Sequence, residues 1–238
     1  GLQMLTTSSI KTEYNNIIVS PLAGSLGAEV QNVNLSKNMS DEIMSDIYNA
    51  LLDYQVIFFR DQKFDPASQK IFANKIGKPV VYPFVKGLED FPEITPILKQ
   101  ETDINNFGGI WHSDTTYQEK PPMRTMLYAL ETPEFGGDTE FANQYLAYER
   151  LSDGMRKFLD TLKGVNISGK SRVAKTRSDI MKHASVGLKG DELTAIHPVV
   201  RTHPETKRKS LYVNEAHTTH FVGMSEEESA PILEYLFK

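Results

Sequence analysis

Cysteine is absent from the 238-residue chain. That excludes disulfides, thiolate metal centres and a cysteine nucleophile, so any metal here must be held by His, Asp or Glu. Long apolar runs are also missing: the strongest, at 56–59, falls far short of the roughly 20 residues needed to cross a bilayer. There is no broad basic field either. The 26 Lys and Arg are outnumbered by 31 Asp and Glu, for a net charge of −5, which argues against a nucleic-acid backbone as partner. The first ten residues lack the basic start and apolar core of a secretion signal, and a cytoplasmic protein is expected. What is present, 39% hydrophobic and 24% charged residues, is the composition of a globular chain, expected to form a single domain over 1–238.

Alternating apolar positions predict short strands at 17–19 and 28–33, joined through Gly24 and Gly27. A helix is predicted to start at Ser40 or Asp41, with Ile43, Ile47, Leu51 and Leu52 on one face. Residues 56–59 read as a buried strand. Asp65-Pro66 reads as the cap and first turn of a helix carrying Phe72 and Ile76 and ending at Gly77. Doubly wound nucleotide-binding folds open in a similar way, but no glycine-rich phosphate loop follows Phe59, and that possibility drops.

From 94 to 130 the pattern predicts short strands and Pro-marked turns, with Thr125, Leu127 and Ala129 alternating against Met126, Tyr128 and Leu130. Residues 145–162 read as helix in two pieces, with Ser152-Asp153 as a cap and Gly164 as a stop. The Lys-, Arg-, Ser- and Gly-rich stretch that follows is expected to be a mobile surface excursion, a lid over 165–192. Residues 194–200 and 211–214 read as a hairpin around 203–209. Ser225 and Glu228 form a capping box for a helix bearing Ile232, Leu233 and Leu236.

Chemistry concentrates at Trp111-His112-Ser113-Asp114. On a strand, residues two apart point to the same side, so the His112 imidazole and Asp114 carboxylate would converge. With a second His from elsewhere they would make the facial set that suits non-heme Fe(II) and leaves positions open. Alone, a His-x-Asp triplet is weak evidence, because it occurs by chance and a satisfied surface or core histidine explains most examples. Gly136-Gly137-Asp138-Thr139, where two glycines permit a tight turn, fits an ordinary hairpin.

Together these segments resemble the taurine dioxygenase (TauD/TfdA) family of Fe(II)- and 2-oxoglutarate-dependent dioxygenases. The matching text is Trp-His-Ser-Asp-Thr-Thr-Tyr at 111–117, Pro121-Pro122, Gly-Gly-Asp-Thr at 136–139 and Ala-Tyr-Glu-Arg-Leu-Ser at 147–152. His-Pro-Val-Val-Arg-Thr-His-Pro at 197–204 and Leu-Tyr-Val-Asn-Glu at 211–215 agree as well, and the likeness runs from about Pro21 to Lys238.

The resemblance implies a mixed α+β fold, a double-stranded β-helix (jelly-roll) barrel flanked by helices. It makes His112 and Asp114 the catalytic iron ligands and Thr139 a hydroxyl partner for the distal carboxylate of 2-oxoglutarate. Fe(II) and 2-oxoglutarate are the implied cofactor and cosubstrate. A small-molecule substrate would be hydroxylated with O2, releasing succinate and CO2, and no nucleic acid or membrane partner is expected. A homo-oligomer is the expected assembly.

The family takes its second His ligand, and an Arg that pairs the cosubstrate carboxylate, from a Trp-Asp-Asn-Arg segment and its sequel. The present sequence stops at Lys238 before such a segment, so the last strands of the barrel are expected to lie beyond it. His197 and His203 are framework by resemblance. His217 and His220, three apart, could face one way only on a helical turn.

Members that take taurine carry a His three residues before the Tyr-Pro corresponding to Tyr82-Pro83 and an Asn four residues before the first ligand. Here those positions are Pro79 and Gly108, which offer no side-chain hydrogen bond to a sulfonate. The expected substrate is another small sulfonate, sulfate ester or carboxylate, in a pocket including Gly108 and Tyr82, although Tyr82 suits a core equally. Lys170, Arg172, Lys175 and Arg177 fit an anion-attracting lid or a solvated loop. Trp111, the single Trp, is expected to pack beside the site. The alternatives are a catalytically silent scaffold with the same fold, and a zinc hydrolase, which lacks an evident general base.

Overall fold

In the structure, a computed structural model describing residues 14–104, 106–170 and 193–238, the chain divides into two units. One comprises the chain up to Ile76 with Tyr128–Asn143, the other Gly77–Leu127 with Gln144–Lys238.

The first unit is built on a three-stranded sheet of order β1-β2-β3. β1 (Ile18–Pro21) and β2 (Ala28–Gln31) pair antiparallel, with Val19 opposite Val30. Gly27, at φ +91°, closes their connection, its carbonyl accepting the Leu22 N–H at 2.9 Å. Only glycine takes that backbone conformation freely. β3 (Ile57–Phe58) joins β2 in parallel. It is shorter than the predicted strand and half-buried rather than buried, and among the described strands only β2 pairs with it. α1 (Asp41–Tyr54) starts where its cap signal predicts: Ser40 Oγ accepts the Ile43 N–H, and Ile47, Ala50 and Tyr54 are buried. α2 (Pro66–Ile76) is capped by Asp65, whose carboxylate accepts the Ser68 N–H at 2.7 Å. That bond holds the Asp65 carboxyl below its usual range.

The second unit contains α3 (Gln144–Glu149), α4 (Asp153–Leu159), β4 (Lys163–Ile167), β5 (Thr194–Pro198), β6 (Val200–Thr202), β7 (Lys209–Leu211), β8 (Thr218–Phe221) and α5 (Glu226–Leu236). β4 lies between β5 and β8, antiparallel to both, and β6 and β7 form a separate hairpin. Leu159, Val199, Leu211, Phe221 and Leu233 make a buried cluster with Tyr148 and Val213. Burying each large apolar side chain contributes roughly 1.5–3 kcal/mol. The capping box of α5 is complete, Ser225 and Glu228 each accepting the other's backbone N–H.

The structure departs from the expectations at several points. Gly164 is not a helix stop. It lies within β4, where a Cβ would stand 3.3 Å from Thr218 Cγ2, so the glycine permits β4 to pack closely on β8. The predicted hairpin is confined to β6 and β7, while β5 pairs with β4. The excursion predicted over 165–192 begins within β4 at its first three residues, and 171–192, with Arg172, Lys175 and Arg177, lie outside the described residues. Lys170 is no free lid cation: its Nζ donates to the carbonyls of Glu215 (2.8 Å) and Thr218 (3.2 Å).

Residues 125–129 keep the predicted alternation in accessibility, but Leu130, expected on the side of Met126 and Tyr128, is exposed, and no strand forms over 94–130 among the described residues. A strand requires a hydrogen-bonded neighbour, and Leu127 is 70% exposed. Helices and antiparallel sheets are present as expected, but the described strands form open sheets and a hairpin rather than a closed barrel. No described helix is long and apolar enough to cross a membrane.

Candidate active site

The His-x-Asp segment belongs to the second unit. Residues 111–113 carry no sheet pairing, and the chain turns over 114–117, the Gln118 N–H returning to the Thr115 carbonyl at 3.0 Å. The expected strand is therefore not there, but the expected convergence is. His112 Nε2 lies 3.1 Å from Asp114 Oδ1, with the two side chains 31% and 46% exposed. Trp111 is half-exposed instead of packed.

Each partner is oriented by a second bond. His112 Nδ1 lies 2.6 Å from the Ile110 carbonyl oxygen. A carbonyl only accepts, so Nδ1 carries the proton. Asp114 Oδ2 accepts the Thr125 hydroxyl at 2.6 Å, leaving Oδ1 for His112. The bond to Asp114 raises the His112 pKa above its ordinary value against the opposing effect of burial, and the Ile110 carbonyl adds to the rise. The Asp114 carboxyl is lowered, first by His112, with Thr125 and the more distant His217 contributing in the same direction.

These contacts test the fit of a metal. With Nδ1 protonated, the Nε2 lone pair of a neutral imidazole would face a carboxylate oxygen, and two acceptors at that separation need a cation between or on them: a proton or a metal ion. Two ligand atoms each about 2.1 Å from an ion and at right angles to one another are about 3.0 Å apart, close to the observed 3.1 Å. An imidazole whose other N–H is held by a carbonyl, and a carboxylate whose second oxygen is hydrogen-bonded, form a donor pair that suits a divalent ion. Among the described residues no group of three or more His, Cys, Asp or Glu side chains could hold one, so the pair supplies part of a coordination shell.

The other histidines among the described residues each have a contact elsewhere. His197 Nε2 contacts the Gln118 carbonyl at 2.9 Å, and His217 Nδ1 contacts that of Ile167 at 3.1 Å. His203 Nδ1 accepts backbone N–H groups of Glu205 and Thr206, closing the β6–β7 turn. His220 Nδ1 meets Thr219 Oγ1 at 2.8 Å.

Two residues expected in the pocket lie in the same unit. Gly108, at φ +74°, lies against the His112 ring, where a Cβ would meet Cε1 at 3.3 Å. The Tyr82 ring packs edge-on against Phe107, beside Gly108, with centroids 6.2 Å apart. Edge-to-face contacts continue from Tyr82 to Phe84, then to Tyr117 and His217. Thr139 belongs to the first unit, where it is exposed and follows Gly136 and Gly137, both at positive φ.

Sequence reasoning missed Thr125 and a buried polar group of Thr116, Asn166, Asn214 and Thr218. Asn166 shares the buried side of β4 with Gly164, but no local signal marks the residues it meets there.

The chain matches the family described as "Taurine catabolism dioxygenase TauD, TfdA family" over residues 18–238. It is 31% identical over 236 residues to an alkylsulfatase of Acinetobacter baylyi, covering 94% of this chain and 70% of that protein. It is 32% identical over 225 residues to an alpha-ketoglutarate-dependent sulfate ester dioxygenase of Pseudomonas putida, covering 92% and 71%. An alpha-ketoglutarate-dependent sulfonate dioxygenase of Saccharomyces cerevisiae is 28% identical over 238 residues, covering 95% of this chain and 56% of that one. The crystal structure of a taurine dioxygenase from Burkholderia xenovorans superposes with a TM-score of 0.75 at 30% identity, covering 93% of this chain and 72% of that one. The chain thus spans between 56% and 71% of the length of these three curated relatives.

Proposed function

This chain belongs to the taurine catabolism dioxygenase TauD, TfdA family, and from that premise we propose that it carries the iron-binding part of a 2-oxoglutarate-dependent dioxygenase acting on a small organic substrate. The observation that carries the proposal is the His112–Asp114 pair, 3.1 Å apart, with its other polar atoms fixed by Ile110 and Thr125.

Fe(II) and 2-oxoglutarate, when bound, supply the oxidising chemistry. Overall, substrate C–H, 2-oxoglutarate and O2 give substrate C–OH, succinate and CO2. One oxygen atom ends in the hydroxyl and the other in the new carboxylate, with two electrons drawn from the substrate and two from the keto acid. The chain's own residues orient and exclude. Ile110 fixes the imidazole tautomer so that Nε2 is available. Thr125 fixes the carboxylate so that Oδ1 is available. Gly108 leaves room beside the ring, and Tyr82 with Phe107 offers an apolar wall that limits water. Thr139 is assigned to the distal carboxylate of 2-oxoglutarate through its hydroxyl. The remaining imidazole of a facial set is assigned to none of His197, His203, His217 or His220, because the family resemblance gives none of them that role. The open sheets are read as part of a jelly-roll barrel, a reading supported by the superposition on the Burkholderia xenovorans enzyme.

For the substrate, Pro79 and Gly108 deprive a sulfonate of side-chain donors at two positions. The alkylsulfatase and the sulfate ester dioxygenase are similar over nearly the whole chain. A sulfate ester therefore ranks ahead of taurine, within the sulfonate, sulfate ester and carboxylate class. The test is anaerobic addition of Fe(II) and 2-oxoglutarate to the protein. A weak visible absorption requiring both is expected, and it is lost in His112→Ala and in Asp114→Ala. No absorption in the unaltered protein would favour a silent scaffold.

A further inference from the structure

Two residues beyond Asp114 begins a closed ring of buried polar side chains. Thr116 donates its hydroxyl to Asn166 Oδ1 (3.2 Å) and accepts from Asn214 Nδ2 (3.1 Å). Thr218 donates to the same Asn166 Oδ1 (2.8 Å) and accepts the Asn214 backbone N–H (3.0 Å). Asn166 Nδ2 donates to the Gly164 carbonyl, and Asn214 Oδ1 accepts the His217 N–H. Thr116, Asn166 and Thr218 are at most 1% exposed and Asn214 is 7% exposed. Every one of these side-chain groups has a partner, the condition under which a buried polar cluster rigidifies its surroundings.

The turn that supplies Asn214 and Thr218 also holds the ligand segment from its other side, where the Ala216 N–H donates to the Trp111 carbonyl at 3.3 Å. One turn thus brackets the ligand pair, directly before His112 and two residues after Asp114. Between Asp114 and Thr116 stands Thr115 at φ +50°, a conformation that a β-branched residue keeps only where its surroundings over-determine it. On the far side of the ring, the register of β4 against β8 shifts between Val165 and Asn166, the kind of irregularity that re-aims a side chain.

We infer that Thr116, Asn166, Asn214 and Thr218 are positioning residues for the metal ligands. They hold the strained 114–116 turn so that Asp114 meets His112, and so set the metal affinity of the pair without touching the ion. The inference rests on the reading of His112 and Asp114 as ligands. Loss of such outer partners weakens metal affinity about 10- to 100-fold.

The test measures the Mn(II) dissociation constant by electron paramagnetic resonance, with Mn(II) as an oxygen-stable stand-in for Fe(II), beside the melting temperature of the metal-free protein. Thr116→Val is expected to weaken Mn(II) binding about 10- to 100-fold, and Thr116→Ser, which keeps the hydroxyl, to restore it. Leu159→Ala, in the apolar cluster, is expected to lower the melting temperature and leave Mn(II) affinity unchanged. Should Thr116→Val not fold, Thr218→Val removes the other hydroxyl on Asn166 and is expected to act in the same direction. Wild-type binding that is lost in His112→Ala but kept in the threonine variants overturns the inference alone, as does an affinity loss that merely follows the melting temperature across all variants. Equal binding by the unaltered protein and His112→Ala overturns the ligand assignment and the inference with it.

Discussion

Replacing Gly108 by alanine tests the site through a single methyl group. The backbone there is at φ +74°, and the new Cβ would stand 3.3 Å from His112 Cε1 and 3.8 Å from Nε2. An L-residue in the left-handed region costs about 1–2 kcal/mol, of which the less flexible unfolded chain returns about 0.4–1 kcal/mol. The balance, roughly 0.5–1 kcal/mol before any crowding, corresponds to a fall of about 2–4 °C or less in melting temperature for a chain of this size. Crowding adds a second effect, because the imidazole must give way by a few tenths of an ångström while metal sites tolerate only about 0.2 Å. Mn(II) affinity should fall by about tenfold. Gly223→Ala separates the two effects: φ is +81° with nothing within 4 Å of the added carbon, so the melting temperature should fall while the affinity holds. Calorimetry and Mn(II) titration of both variants provide the assay. A Gly108→Ala protein that melts no lower than the unaltered one, or that binds Mn(II) equally well, refutes the reasoning.

Thr115→Gly should act in the opposite sense. The change relieves the left-handed backbone of a β-branched residue and removes a buried hydroxyl that, among the described residues, has no hydrogen-bond partner. A gain of about 1 kcal/mol remains after the entropic cost of glycine, and an unchanged or lowered melting temperature contradicts it. In the metal-free protein His112 should titrate above its ordinary 6.5 and Asp114 below its ordinary 3.8, each chiefly because of the other. The raised His112 value makes the pair's stabilisation complete below about pH 6.5 and drains it as pH rises through that value. The lowered Asp114 value makes it present above about pH 3.8 and lost as pH falls further. Metal affinity instead climbs as pH rises through the His112 value, since the ion must displace a proton. Nitrogen-resolved NMR should find the His112 midpoint lowered in Asp114→Asn, and an unmoved midpoint contradicts the pairing.

Local signals carry far in this chain. Ser40, Asp65, Ser152 and Ser225 each announce a helix because a cap is satisfied within three residues of itself. The convergence of His112 on Asp114 is legible from a spacing of two, although its expected cause is not found, since extended backbone alternates its side chains with or without a pairing strand. Gly164 misleads for a similar reason: glycine after a helical stretch reads as a stop, whereas the close approach of Thr218 that requires it comes from a distant strand. The ring around Thr116 is illegible in principle. Its bonds reach 50 residues to Asn166 and 98 to Asn214, and no local periodicity marks which polar residues will meet inside a fold. The exposure of Leu127 likewise depends on whether a neighbouring strand is available, which the alternation of 125–130 does not encode.

The most direct test is anomalous diffraction from crystals soaked anaerobically in Mn(II). A single strong peak is predicted within roughly 2.0–2.2 Å of both His112 Nε2 and Asp114 Oδ1, with Nδ1 still bonded to Ile110. A peak on another histidine, or the two side chains remaining directly hydrogen-bonded with no metal between them at saturating Mn(II), would contradict the assignment.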